Sequence, residues 1–161
     1  MNKKPIKRNE NILNLSKEHH FSLLFCWKIR QGLKAGTDSS RIKKYVQYFK
    51  TNFLLPHFGE EENFLFSALD DEQVAKALEQ HKEIKNLLDE LLNNAEYNAK
   101  KQLETLANLV DDHVRYEERE LFPHIENSLT DEQLEAIGKK LNTSQQLPVK
   151  DVYTDEFWIK K

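Results

Sequence analysis

The sequence contains two copies of one histidine–glutamate motif, and this internal duplication constrains the fold more than any other feature. The segments HFGEEENFLF, which begins at His57, and HVRYEERELF, which begins at His113, share a histidine, three residues, two glutamates, two residues and Leu-Phe. Every shared position of the second copy lies 56 residues after its counterpart. On a helix, each histidine and the glutamate four residues after it, Glu61 or Glu117, lie on one face, about 6 Å apart at Cβ. Each pair can therefore bind one metal ion.

A further histidine precedes each copy, on the segment predicted to form the preceding helix. His19 or His20 precedes the first copy, and His81 precedes the second. Two helical hairpins would then contribute equivalent ligand sets related by pseudo-twofold symmetry. Together they offer four imidazoles and two carboxylates, enough for two ions bridged by Glu61 and Glu117. Nitrogen and oxygen donors suit iron or manganese.

Each of these residues alone has an ordinary structural explanation. A single histidine is more often a satisfied core residue, and a single glutamate more often lies on a solvated helix face. Two buried carboxylates on otherwise apolar faces, however, would each cost several kcal/mol without a compensating charge. The joint arrangement therefore favours metal binding.

Composition and periodicity predict an all-α chain. Only four Gly and four Pro occur among 161 residues, so few turns interrupt the helices. Apolar residues recur at helical spacing in four long segments with short joins, which predicts an up-down-up-down four-helix bundle. Capping signals stand at residues 14–16, 38–40 and 70–73, and the fourth helix is expected from about Ala95 to Ile125.

The rest of the chain is expected to complete the same domain. Thr130 and Gln133 predict a short fifth helix, and the apolar residues near the C-terminus predict a tail that packs on the bundle. Residues 1–161 would thus form one domain, with the bundle core at about 12–126 and the short helix and tail at 130–161.

Charge and hydropathy exclude several classes of function. The net charge is -3, and basic residues are interleaved with acidic ones, so nucleic acid is not an expected partner. The sequence has no apolar run long enough to span a bilayer and no signal-peptide core, which predicts a cytoplasmic protein without a membrane role. Cys26 is the only cysteine, so a thiolate metal cluster is excluded and a buried apolar role is expected.

These motifs resemble a known family. The EHH segment near the start, HFGEEENFLF, the lone His81 and HVRYEERELFP are similar to the hemerythrin-like family of HHE cation-binding domains, over residues 12–126. The resemblance implies a four-helix bundle around a non-haem di-iron centre, in proteins that bind dioxygen, respond to nitric oxide or oxidants, or help to repair damaged iron centres. It assigns as ligands one histidine of the first helix together with His57, Glu61, His81, His113 and Glu117.

Two departures from the family pattern narrow this expectation. Oxygen-carrying hemerythrins have a second histidine one helical turn beyond the counterpart of His81, but here Lys85 takes that position. Reversible dioxygen carriage is therefore not expected. Iron-centre repair proteins share the set of four histidines and two glutamates, yet they carry an added N-terminal domain with paired cysteines, and this sequence has neither. Repair chemistry is not indicated.

Only one of His19 and His20 can point inward, because consecutive helix residues are about 100° apart. If Ser16 is the N-cap, His20 lies in the first turn beside Leu15 and shares its face with the apolar residues that follow. This choice favours His20. The predicted metal ligands are His20, His57, Glu61, His81, His113 and Glu117.

The predicted function is binding or sensing of dioxygen, nitric oxide or peroxide at two iron ions, joined by an oxo or hydroxo bridge, with manganese or zinc as substitutes. Whether catalytic turnover follows depends on electron supply. The alternative is a helical interaction module whose metal site is mainly structural. The sequence does not indicate a particular protein partner.

Overall fold

The computed structural model describes residues 7–93, 98–144 and 147–159. These residues form helices, connecting segments and an irregular C-terminal tail, with no strand in the described ranges. None of the described helices combines the length and the apolar character needed to cross a bilayer. The α-helices are α1 (Leu13–Lys34), α2 (Ser39–Phe49), α3 (Leu55–Glu60), α4 (Glu72–Asn93), α5 (Ala99–Tyr116), α6 (Phe122–Ser128) and α7 (Asp131–Thr143). The all-α prediction is confirmed, whereas the up-down-up-down order stays a prediction.

Five-residue π-helical segments join several of these helices. One (Lys50–Leu54) connects α2 to α3, a second (Glu61–Leu65) follows α3, and a third (Glu117–Leu121) connects α5 to α6. The second and third begin at Glu61 and Glu117, which are equivalent positions of the two motif copies. The sequence duplication is therefore also a duplication of backbone conformation. Such π-helical turns occur frequently at functional sites.

Side-chain caps begin two of the helices where the sequence predicts them. The Asp38 carboxylate accepts the N–H of Ser40 at 3.1 Å at the start of α2. Thr130 and Gln133 form a reciprocal capping box at the start of α7, which satisfies two backbone donors that the first turn leaves unpaired. Both predicted helix starts are confirmed.

Two other helix starts differ from the prediction or cannot be compared with it. α4 is capped by Asp71, whose carboxylate accepts the N–H groups of Gln73 and Val74 at 3.1 and 3.0 Å. The predicted cap at Asp70 is therefore one residue too early. The predicted start of the fourth helix near Ala95 lies outside the described residues, and α5 is described from Ala99 onward.

The buried apolar residues form two clusters, and a polar layer separates them along the helices. On α1, Leu15 belongs to one cluster and Phe25 to the other, with His19 between them. On α4, Ala77 belongs to the cluster of Leu15 and Ile84 to the cluster of Phe25, with His81 between them. Since α1 and α4 both pack along α5, the histidines of these helices meet in one interior layer.

The C-terminal tail packs on the outer parts of α1 and α2. Phe157 is buried against Tyr45, with ring centroids 5.7 Å apart. Lys28, itself buried, donates to Asp151 at 3.1 Å, and Asp151 also accepts from the Tyr45 hydroxyl. Ile159 is half exposed. A charged contact under an aromatic cover thus holds the tail against the helices.

Candidate metal centre

The structure brings five of the six predicted ligand residues into one buried cluster. Each is at most 2% exposed, which leaves imidazoles and carboxylates together in the interior. α3 and the π-helical segment after it supply the first motif copy, α4 supplies one histidine, and α5 with the following π-helical segment supplies the second copy. The five are His57, Glu61, His81, His113 and Glu117.

The prediction that His20 points into the bundle is wrong, and His19 lies there instead. α1 begins at Leu13, and its buried face includes Leu15, Cys26 and Ile29, whereas Leu23 and Trp27, which share the face of His20, are exposed. His20 is exposed, whereas His19 is 2% exposed and lies in the cluster. Ser16 does not cap the helix, because its hydroxyl donates to the Glu118 carboxylate at 2.7 Å.

The six residues form two overlapping donor sets. One set is His19, His57, Glu61 and Glu117, and the other is His81, His113, Glu61 and Glu117. Within each set the candidate donor atoms all lie within 4.8 Å of one another. Both carboxylates belong to both sets, so the cluster has the composition of two adjacent cation sites with shared carboxylates.

All four imidazoles direct Nε2 toward these carboxylates. His19 Nε2 lies 2.8 Å from Glu117 Oε1, and His113 Nε2 lies 3.2 Å from the same oxygen. On the other carboxylate, His57 Nε2 lies 3.4 Å from Glu61 Oε2. His81 Nε2 lies 3.1 Å from Glu61 Oε1. The Nε2 atoms thus converge on the space that a pair of cations would occupy.

Each imidazole has a second polar contact through Nδ1. His19 Nδ1 lies 2.7 Å from Glu118 Oε2, and His81 Nδ1 lies 2.8 Å from Glu62 Oε2. His57 Nδ1 lies 2.7 Å from Glu18 Oε1. The fourth contact, 2.6 Å long, joins His113 Nδ1 to Gln80 Oε1. An acceptor at Nδ1 fixes the tautomer that leaves Nε2 free to bind a metal, and it holds the ring in place.

These outer contacts repeat the symmetry of the sequence. Glu62 and Glu118 are 56 residues apart, like the ligand glutamates that they follow. Glu18 and Gln80 are 62 residues apart, the same offset as His19 and His81, which they precede. Each half of the cluster therefore has the same contacts, with one chemical difference, a carboxylate at position 18 against an amide at position 80.

Three inward atoms of the cluster have no hydrogen-bond partner in the described part of the chain. They are His57 Nε2, Glu61 Oε2 and Glu117 Oε2, all fully buried. A buried polar atom without a partner costs about 1–3 kcal/mol, and more when the group is charged. Because all three atoms are lone-pair donors, cations bound in the two donor sets would satisfy them. The residues present thus fit a metal pair.

The two shared carboxylates have opposite pKa shifts. Burial and the nearby charge of Glu117 raise the pKa of Glu61 well above its ordinary value. Burial also acts to raise the pKa of Glu117, but His113 and His19 outweigh it and lower that pKa well below its ordinary value. The pair is therefore a place where protons and cations compete, since metal binding requires both carboxylates to be ionised.

The pKa values of His19 and His81 are also shifted in opposite directions. Burial lowers the pKa of His19, but hydrogen bonds with Glu117 and Glu118 outweigh it and raise the pKa to about 10. Burial, together with repulsion from His113, lowers the pKa of His81 to about 4. Metal binding would require a lone pair at Nε2 of both rings.

The outer partners were only partly visible in the sequence. Glu62 and Glu118 directly follow the ligand glutamates, but in a sequence they look the same as exposed carboxylates on a helix surface. In the structure both contact imidazole Nδ1. Glu18 and Gln80 were missed. Comparing the residues that precede His19 and His81 could have found them, had the first-helix histidine been chosen correctly.

Lys85, His124 and Cys26 lie outside the cluster. Lys85 is partly exposed and donates to Glu62 at 3.1 Å. His124 contacts Asp71 at 2.5 Å near the protein surface. Cys26 is buried in the apolar core, where burial raises the pKa of its thiol to about 12. None of these three residues joins either donor set.

Comparison with known protein families gives a match over most of the chain. The family described as hemerythrin HHE cation binding domain matches residues 12–125, which is well over half of the chain. This range contains all six residues of the cluster and their four outer partners. No curated protein and no solved structure matches the chain.

Proposed function

The chain belongs to the hemerythrin HHE cation-binding domain family, and from that premise we propose that it binds two iron ions and presents them to a small ligand. The observation that carries this proposal is the membership of Glu61 and Glu117 in both donor sets. Carboxylates shared in this way would bridge two cations within one interior layer. The helices that supply the ligands would run up-down-up-down around that layer.

The donor set suits non-haem iron. Two imidazoles and two bridging carboxylates would give each ion four protein donors, and nitrogen and oxygen ligands with open positions are typical of iron sites that bind dioxygen. A bound iron pair would supply redox chemistry and affinity for dioxygen, nitric oxide or peroxide. Manganese and zinc accept the same donors and are the expected substitutes.

The surroundings of the cluster favour a small ligand over a bulky one. Phe58 stacks on His81 with ring centroids 3.8 Å apart, and Phe122 stacks on His19 at 5.3 Å. Phe66 is also close to His81, with ring centroids 5.6 Å apart. Because these rings cover the imidazoles, only a molecule of a few atoms would reach the space between them.

Sensing or scavenging is proposed in preference to reversible carriage. Lys85, at the position where oxygen carriers have a further histidine, points to Glu62 and adds no donor to the cluster. Each half of the cluster would then have the same number of protein ligands.

Metal analysis and spectroscopy test the proposal together. Protein purified without added metal should contain about two iron ions per chain, as the two donor sets require. The reduced protein should develop new charge-transfer absorption when dioxygen or nitric oxide is added. Full iron content without any spectral change would instead support a structural metal in an interaction module. Absence of bound iron would contradict the proposal.

A further inference from the structure

The two halves of the cluster differ in one outer contact. His57 Nδ1 is 2.7 Å from a carboxylate oxygen of Glu18, whereas its counterpart His113 Nδ1 is 2.6 Å from the amide oxygen of Gln80. The other two Nδ1 contacts are with carboxylates in both halves. The distances are nearly equal, so the difference between the halves is one of charge and not of geometry.

Neighbouring cations do not cancel this difference. Glu118 has an ion pair with Arg8 at 3.3 Å, and its counterpart Glu62 has one with Lys85 at 3.1 Å. Each of these two carboxylates therefore has a cationic partner, although Arg8 also pairs with Glu126. Glu18 has no lysine or arginine partner in the described ranges of the chain. Among the four groups that contact imidazole Nδ1, the His57 half thus has two carboxylates and the His113 half has one.

From this asymmetry we infer that the two halves bind their cations unequally, with the His19–His57 half as the tight site and the His81–His113 half as the exchangeable one. The inference rests on the proposed binding of two ions. A carboxylate acceptor makes an imidazole a stronger metal donor than an amide does, and changes in such outer partners typically alter metal affinity about 10- to 100-fold. The difference between the halves should therefore be about tenfold or more.

The cavities beside the two outer partners support the same order. A cavity of about 360 Å³ is lined by Gln80 and by His113 itself. Water there can compete with the amide for the His113 N–H. A second cavity, of about 300 Å³, lies beside Glu18, and residues 147–149 form part of its wall. His57 does not line this cavity. Both partners of the His113–Gln80 contact thus border a cavity, whereas only Glu18 does so in the His57–Glu18 contact.

Iron release to a chelator tests the inference. The protein is loaded anaerobically with two equivalents of Fe²⁺, uptake is measured, and excess chelator is added while the absorbance of its iron complex is followed. The native protein should release iron in two equal phases whose rates differ about tenfold or more. Gln80→Glu should slow the fast phase about tenfold and leave the slow phase unchanged. Glu18→Gln should accelerate only the slow phase.

A matched control separates hydrogen bonding from general charge. Glu79 lines the cavity beside Gln80 and is exposed, so Glu79→Gln removes a nearby charge without touching an imidazole contact. It should leave both phases unchanged. A single release phase in the native protein, or an effect of Glu79→Gln as large as that of Glu18→Gln, would overturn the inference while leaving two-iron binding intact. Failure to take up iron at loading would instead refute the proposed function itself.

Discussion

His81 and His113 face each other through their Nε2 atoms, which lie 3.1 Å apart. At this distance only one of the two nitrogens can carry a proton, so at least one must present a lone pair. Both rings are buried and both have an acceptor at Nδ1. With Nδ1 as the donor in each ring, two Nε2 lone pairs point toward one another. Their repulsion is relieved most directly by a cation that both can bind.

Replacing a shared glutamate should remove metal and stability together. In Glu61→Ala or Glu117→Ala a carboxylate common to both donor sets is lost, so both ions should be affected, and metal binding energy is also folding energy. We expect iron content below half of the native value and a free energy of unfolding lower by about 3 kcal/mol. Elemental analysis and urea unfolding measure the two effects. Glu120→Ala, an exposed glutamate in the same π-helical segment as Glu117, should change neither.

The neighbouring histidines of α1 form a matched pair of variants. His19→Ala should lower iron content to about half or less, because it removes one imidazole of the first donor set. His20→Ala should leave iron content unchanged, since that side chain is exposed. Both variants are measured by metal analysis after purification without added metal. Equal loss in the two variants would contradict the assignment of His19.

The duplicated motif made most of the cluster predictable, because a His and a Glu four residues apart share a helix face whatever surrounds them. The phase of α1 was not predictable in the same way. It depends on which apolar stripe of the helix packs inward, and the stripe with Leu23 and Trp27 is exposed, whereas the one with Leu15 and Ile29 is buried. Ser16 looks like a cap in the sequence, yet its hydroxyl contacts Glu118, 102 residues away. A contact of that separation has no local signal.

The two π-helical segments at the motif glutamates also could not be predicted. Their residues form good α-helix, and a π-helical turn is selected by tertiary packing. In the structure both segments begin at the shared carboxylates and end in a buried leucine, Leu65 or Leu121. The extra residue per turn changes the phase of the following chain. Sequence periodicity assumes a constant phase and therefore fails there.

The contact that holds the C-terminal tail should contribute to stability without affecting metal binding. Asp151→Ala would leave the buried Lys28 ammonium without its carboxylate and would remove the acceptor of the Tyr45 hydroxyl. Because loss of one partner leaves a buried charge uncompensated, the free energy of unfolding should fall by about 3 kcal/mol. Urea unfolding measures this change, and iron content should stay at the native value.

An exposed ion pair in the same tail provides the comparison. Arg41 and Asp155 are in contact at 2.6 Å, but both side chains are more than one third exposed. Exposed pairs contribute about 0–1 kcal/mol, so Asp155→Ala should lower the free energy of unfolding by less than about 1 kcal/mol. If Asp151→Ala and Asp155→Ala lowered the free energy of unfolding equally, burial would not explain the contribution of the Lys28–Asp151 pair.

Glu60 should make stability depend on pH in the neutral range. Burial, together with the charge of Glu18, raises the pKa of Glu60 to about 7. Because the folded-state pKa lies above that of the unfolded chain, the folded protein binds more protons between about pH 4.5 and 7. The contribution of Glu60 to the free energy of unfolding is therefore complete below about pH 4.5 and is lost as pH rises through 7. Glu60→Gln keeps an acceptor for the Ser144 hydroxyl, 2.9 Å away, and cannot ionise. We compare the free energy of unfolding of Glu60→Gln with that of the native protein at each pH. After allowance for solvent screening, the variant-minus-native difference should be about 1 kcal/mol larger at pH 8 than at pH 5. Urea unfolding of both proteins at the two pH values checks this. A difference between variant and native protein that is the same at both pH values would refute the raised pKa.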